Sequence, residues 1–125
     1  MALRKLKKPE WRRFCDTLTK VLEGKQAEIE VASLDLGDQI AAEWTPFLGI
    51  AFDPKNDLFE IILENVDHLI RNPQELTADI GATGGLAALA IVDADGRRQI
   101  IRFRDPPLLP APQPAESRGG APDGG

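Results

Sequence analysis

One histidine, one cysteine and a short row of arginines are the residues in this 125-residue chain whose types could do chemistry. His68 is the one side chain suited to acid–base work near neutral pH, and Asp67 and Arg71 stand close to it in sequence. Together they would form a small active or ligand site using His68 and a carboxylate. The structural alternative is a loop histidine whose ring bonds a backbone group. Cys15 falls between Phe14 and Leu18 on the apolar stripe of a helix, the setting of a buried structural thiol rather than a nucleophile. Ser33 and Ser117 lack the strained-turn context of a catalytic serine. A single histidine and a single cysteine on different elements do not make a zinc site. No catalytic residue, metal or cofactor is expected.

Two turns imitate ligand loops without completing them. Gly81-Ala-Thr-Gly-Gly85 has the glycines of a phosphate cradle, but Leu86-Ala87 stands where a phosphate loop needs Lys and Ser or Thr. Asp93-Ala-Asp-Gly96 opens like a calcium loop, yet its twelfth position is Arg104 where a bidentate Glu belongs. Both read as connections between strands.

Arg98, Arg102 and Arg104 share one face of the last predicted strand. They could meet an anion, an acidic partner or RNA. No aromatic residue alternates with them on that face, because Phe103 points the other way, so base stacking is unsupported. Glu28, Glu30, Glu60 and Glu64 offer cross-strand partners for a self-contained charge ladder. Trp11 and Trp44 occupy inward positions and are expected to pack in the core.

The elements that position these residues follow from periodicity. Pro9 suits a first helical position. Trp11, Phe14, Cys15, Leu18, Val21 and Leu22 then form one apolar stripe, and Gly24 can end the helix, which is predicted over Pro9 to Glu23. Beyond Gln26 the period switches to two. Ile29 and Val31 mark a first strand, and Ile40, Ala42 and Trp44 the inward face of a second. Pro46 suggests a bend. Leu48, Ile50 and Phe52 mark a third strand, and Phe59, Ile61 and Leu63 a fourth. A hairpin loop, Asp53-Pro-Lys-Asn-Asp57, joins those last two. Val66 to Arg71 is read as a short helical turn or ordered loop. Leu76, Ala78 and Ile80 suggest a weak fifth strand. Leu86 to Val92 is a buried strand leading into a tight turn, and Ile101 and Phe103 finish the sheet.

The predicted fold is α+β. An N-terminal amphipathic helix packs on a mostly antiparallel meander sheet of six or seven strands, and Gly37, Gly49 and Pro46 could let it curl into a half-open barrel. Residues 1–105 are expected to form the single domain. Residues 106–125, with Pro106, Pro107, Pro110, Pro112, Pro114 and Pro122, are expected to form a disordered tail, being too poor in large apolar side chains to fold. Pro107-Leu-Leu-Pro110 in that tail has polyproline-ligand spacing.

Charge is segregated along the chain. Residues 1–25 hold eight basic and three acidic side chains, residues 26–96 two basic and fourteen acidic, and residues 97–105 four basic and one acidic. The net charge of −5 argues against nucleic-acid binding by the whole domain. No apolar run approaches the roughly 18 residues that span a bilayer. The charged start, Met1 to Lys8, is unlike a secretory signal, and one cysteine allows no internal disulfide, so a cytoplasmic location is expected.

The runs Ala27-Glu-Ile-Glu-Val-Ala-Ser-Leu-Asp-Leu-Gly-Asp-Gln39, Gly49-Ile-Ala-Phe-Asp-Pro-Lys-Asn-Asp57 and Asp67-His-Leu-Ile70 resemble a family of short bacterial proteins known as a domain of unknown function (type 5335). The resemblance spans residues 4–110. It implies a bacterial, free-standing single domain, and it supplies no activity, cofactor or site residue. The leading expectation is a small non-catalytic interaction or regulatory module with a protein partner. A small-molecule binding domain with a pocket near His68 is the second reading, and an enzyme using His68 with a carboxylate the third.

Overall fold

In the computed structural model, which describes residues 2–105, the period-two segments become eight strands around one helix. In chain order these are β1 (Ala2–Leu6), a short 3₁₀ turn (Lys8–Glu10), α1 (Trp11–Leu22), β2 (Gln26–Ser33), β3 (Gly37–Asp53), β4 (Leu58–Leu63), β5 (Val66–Arg71), β6 (Pro73–Ile80), β7 (Leu86–Asp93) and β8 (Arg98–Arg104). The sheet runs β1-β6-β7-β8-β2-β3-β4-β5, and each neighbouring pair is antiparallel. Two meanders, β2 to β5 and β6 to β8, are thus joined by the β8–β2 pairing, and β1 is added beside β6. The eighth strand corrects the predicted count of six or seven. The expected tail, residues 106–125, lies outside the described residues.

β1 went unrecognised because Arg4 and Lys5 alternate with nothing a core would demand; only Leu6 is buried. Its backbone pairs with β6 from Ala2↔Ile80 to Leu6↔Leu76. β5 corrects the helical or loop reading of Val66 to Arg71. It carries one buried residue, Ile70, and is specified by its pairing with β4. The Asn72-Pro73 step that follows is still a break: Asn72 has a positive φ of 52°, and its N–H donates to the Asp57 carbonyl at 2.9 Å.

β3 is one strand of 17 residues, not two. Its pairing with β2 shifts twice, between Ala27 and Glu30, and its pairing with β4 shifts once, between Phe47 and Gly49. Each extra residue flips which side chains face inward. Thr45, Phe47, Ile50 and Phe52 are therefore buried, whereas Ile40 and Leu48, predicted to point inward, are about half exposed at 50% and 46%.

The core begins with α1, whose Trp11, Cys15, Leu18 and Leu22 are buried. Trp11 meets Phe52 edge-on and Phe59 obliquely, each at 5.2 Å between ring centroids. Its indole N–H donates to the buried Leu6 carbonyl at 3.1 Å, which satisfies the one polar atom of the ring. Val21, placed on the stripe by spacing alone, is 65% exposed.

The helix also solves an edge problem. β2 pairs only with the first half of β3, from Gly37 to Pro46, so the second half has a free edge on that side. There the Thr19 hydroxyl accepts the Ile50 N–H and donates to the Ile50 carbonyl, both at 3.0 Å. Gly49 eases the approach: a Cβ there would make a tight 3.3 Å contact with Thr19 Cγ2. An edge that would template aggregation is thereby closed by a side chain.

Candidate functional site

Two places gather polar side chains, and the first is built around His68. Within β5, Val66, His68 and Ile70 share one face, and Asp67, Leu69 and Arg71 share the other. Asp67 and Arg71 are exposed, on the side of the strand away from the histidine ring. The expected His68–Asp67–Arg71 grouping is therefore not formed. Instead His68 Nε2 lies 2.6 Å from Gln99 Oε1 on β8. β5 ends the sheet and β8 is central in it, so the contact requires the sheet to curve until the inward side chains of these two strands meet across the core.

Gln99 is buried, and its Nε2 donates to Asp93 Oδ2 at 3.0 Å. Asp93, 3% exposed, also accepts the backbone N–H groups of Asp95 and Arg97 at 3.0 Å and Arg97 Nε at 3.1 Å. With four donors aimed at it, the carboxylate acts as acceptor, so the Gln99 amide nitrogen must face it. The Gln99 oxygen must then face His68, and His68 Nε2 must carry the proton. Nδ1 is left as the acceptor. The turn Asp93-Ala-Asp-Gly96 is thus a structural loop, with Gly96 at φ 80° and its central carboxylate occupied by its own chain.

Spacing did not single out Gln99. One signal was present: it falls at the inward parity of β8 with Ile101 and Phe103, and a polar residue at a core position needs a buried partner. Cys15 is buried as expected, and burial pushes its thiol up to about 12.

The second place is the face of the sheet turned away from the core. There the three arginines have different fates. Arg102 Nη1 reaches Glu30 at 2.6 Å and Glu28 at 3.3 Å, two neighbours on β2. A hydrogen bond shared with Asp38, and then the Arg102 guanidinium, hold the Glu30 carboxyl below its usual value; the same shared bond raises Asp38. Arg104 Nε donates to Gln26 Oε1 at 3.0 Å, and its guanidinium lies 4.1 Å over the Trp44 ring. Trp44 therefore does not pack in the core; the bulges of β3 turn it under Arg104. Glu60 on β4 and Glu64 in the turn after it take no part in this ladder. Arg98 has no hydrogen bond or ion pair among the described residues.

Arg98 borders an apolar strip instead. Ala88, Ala90 and Val92 of β7 and Ile100 of β8 are half buried on this face, and Leu3 at its rim is 73% exposed. Leu3, Ala88, Ala90, Ile100, Asp79 and Arg98 line a shallow concavity of about 110 Å³. Asp79 Oδ1 is buried there with no hydrogen-bond partner among the described residues. His68 lines none of the five best-formed concavities of the described residues. No helix among the described residues is long and apolar enough to cross a membrane.

A model for a family described as of unknown function (DUF5335) matches residues 2–112. An uncharacterized protein of the bacterium Aquifex aeolicus (strain VF5) is 36% identical over 114 residues, which span 90% of this chain and 100% of the relative. No solved structure matches the chain.

Proposed function

The chain belongs to DUF5335, a family of unknown function, and on that premise we propose from its own surface that it is a non-catalytic interaction module of a bacterial cytoplasm. The observation that carries this reading is the half-buried strip of Ala88, Ala90, Val92 and Ile100 on the outer sheet face, bordered by exposed Leu3 and by Arg98. Small side chains on a pleated face leave a flat surface that a partner can approach closely, and a guanidinium at the border, unpaired among the described residues, supplies orientation. Arg102 and Arg104 are occupied by Glu28, Glu30, Gln26 and Trp44, which moves the docking end of the arginine row to Arg98. That neutralisation, with the net charge of −5, favours a protein partner over nucleic acid or a membrane surface. A sheet curled as a half-open barrel would present this face outward as one surface.

A photo-reactive side chain placed at position 3, in place of Leu3, tests the reading in native cells. Irradiation is expected to give adducts with protein, and the same probe replacing Leu34, fully exposed in the β2–β3 turn, is expected to give none. Equal adducts, or none, from both positions would remove the outer face as a docking surface.

A second reading has one observation of its own. The chain Asp93–Gln99–His68 orients an imidazole and leaves its Nδ1 free to accept, which is what a binding or acid–base histidine requires. Asp67 and Arg71 would contribute only from the other side of β5. Substituting His68→Ala and measuring loss of a metabolite-induced shift in melting temperature would test it.

A further inference from the structure

The outer face carries a pattern that selects its own partner. Cross-strand register sets its side chains in rows. Asp79, Ala88 and Arg102 stand side by side on β6, β7 and β8; Thr77, Ala90 and Ile100 form the next row; Glu75, Val92 and Arg98 the one after. Asp79 and Arg98 therefore lie on one diagonal with Ala90 midway between them. At one end is a buried carboxylate oxygen with no donor, and at the other a guanidinium with no acceptor, among the described residues. Within the chain the two do not pair.

We infer that a second copy of this chain docks face to face on this strip, about a two-fold axis lying in the interface and crossing near Ala90, so that Arg98 of each copy meets Asp79 of the other. This rests on the reading of the outer face as a docking surface, and names its partner. An in-plane two-fold exchanges the two ends of the diagonal, so one attractive pair is made twice. Residues on the other diagonal would face their own counterparts. These are Glu75 and Arg102, and each is already neutralised within its own chain, Glu75 by Lys5 at 3.6 Å and Arg102 by Glu30 and Glu28. Like charges at those points therefore oppose the dimer little. Stacked sheets lie about 10 Å apart, a distance that alanines permit at the centre and an arginine can bridge at the rim. Asp79 as a residue is only half buried, so a partner's guanidinium would meet its carboxylate from the accessible side rather than at the buried Oδ1.

Sedimentation velocity on the full chain across a wide concentration range tests the inference. The parent protein is expected to show a concentration-dependent dimer that weakens with salt. Arg98→Asp and Asp79→Arg are each expected to weaken it about tenfold or more, and the double exchange Arg98→Asp with Asp79→Arg to restore it. Circular dichroism confirms that each variant is folded, and Ala90→Gln gives a second, uncharged way to block the centre. A monomer at all concentrations, or a double exchange no tighter than the single ones, would overturn the second-copy assignment. If the parent is monomeric while the probe at Leu3 captures a different protein, the docking face stands and only its occupant is wrong. If the parent is monomeric and the probe captures nothing, both fall.

Discussion

His68 and Gln99 come from strands at the end and the middle of one sheet, yet His68 Nε2 and Gln99 Oε1 are 2.6 Å apart. The contact orders the imidazole. Asp93 fixes the Gln99 amide, and the amide fixes the imidazole tautomer. Nitrogen NMR of the imidazole is expected to show a protonated Nε2 and an unprotonated Nδ1 in the neutral form. Gln99→Leu should release the preference and lower stability by about 1–3 kcal/mol, because Asp93 loses a donor in a buried place. A mixture of tautomers in the parent protein would contradict the network as drawn.

Thr19 stands in for a missing strand. Thr19→Val keeps the shape and removes the hydroxyl, which leaves the Ile50 N–H and carbonyl without their partner. A loss of about 1–3 kcal/mol is expected in denaturant titration. Amide exchange at Ile50 should quicken at the same time. Unchanged exchange at that amide would mean that the edge is closed by something other than Thr19.

Cys15 should be inert in the native protein. Its thiol is buried and pushed up to about 12, so the reactive thiolate is scarce at neutral pH. A thiol reagent should label it only on unfolding, which makes its rate of labelling a direct measure of opening at the helix. Rapid labelling under native conditions would show α1 detached from the sheet.

Glu30 and Asp38 shift in opposite directions, and the signs can be read separately. Glu30, lowered in the folded protein, contributes stability that is fully present above its unfolded value and is lost as pH falls through its lower folded value. Asp38, raised, works the other way: the folded state holds its proton longer, so its contribution fades as pH rises from the usual carboxylate range through its folded value. In a carboxyl-carbon NMR titration Glu30 should titrate below, and Asp38 above, the usual range. Arg102→Gln should move both upward, since each loses the guanidinium that favours its charged form. Midpoints indifferent to Arg102 would separate the carboxyl pair from the arginine.

Leu18 is buried on the face of α1 turned to the sheet. Leu18→Ala is expected to cost about 2–5 kcal/mol through the cavity it leaves. Val21→Ala, one helical step along and exposed, should change the unfolding midpoint little. Similar losses at both positions would mean that the helix packs in a different rotation.

Local sequence determined most elements because one side chain at a time records which way it faces. Phe59, Ile61 and Leu63, or Ile101 and Phe103, recur at period two and bury as read; Trp11, Cys15, Leu18 and Leu22 do so at helical spacing, while Val21 does not. Asp53 to Asp57 and Asp93 to Gly96 turn where their residues favour it, with Asp57 and Gly96 at positive φ. Tertiary structure decided what depends on a neighbour. β1 and β5 are strands because a partner's backbone pairs with them, and backbone pairing leaves little mark on an edge strand's side chains. The bulges of β3 flip its parity, and an inserted residue carries no signature of its own; hence Trp44 lies under Arg104 and Leu48 faces water. The arginine face was legible as a row, but which members are engaged depends on the register with β2. His68 was visible as the lone histidine. That Gln99 and Asp93 orient it, rather than Asp67, follows from a side-chain contact between β5 and β8, 31 residues apart, that no local pattern encodes.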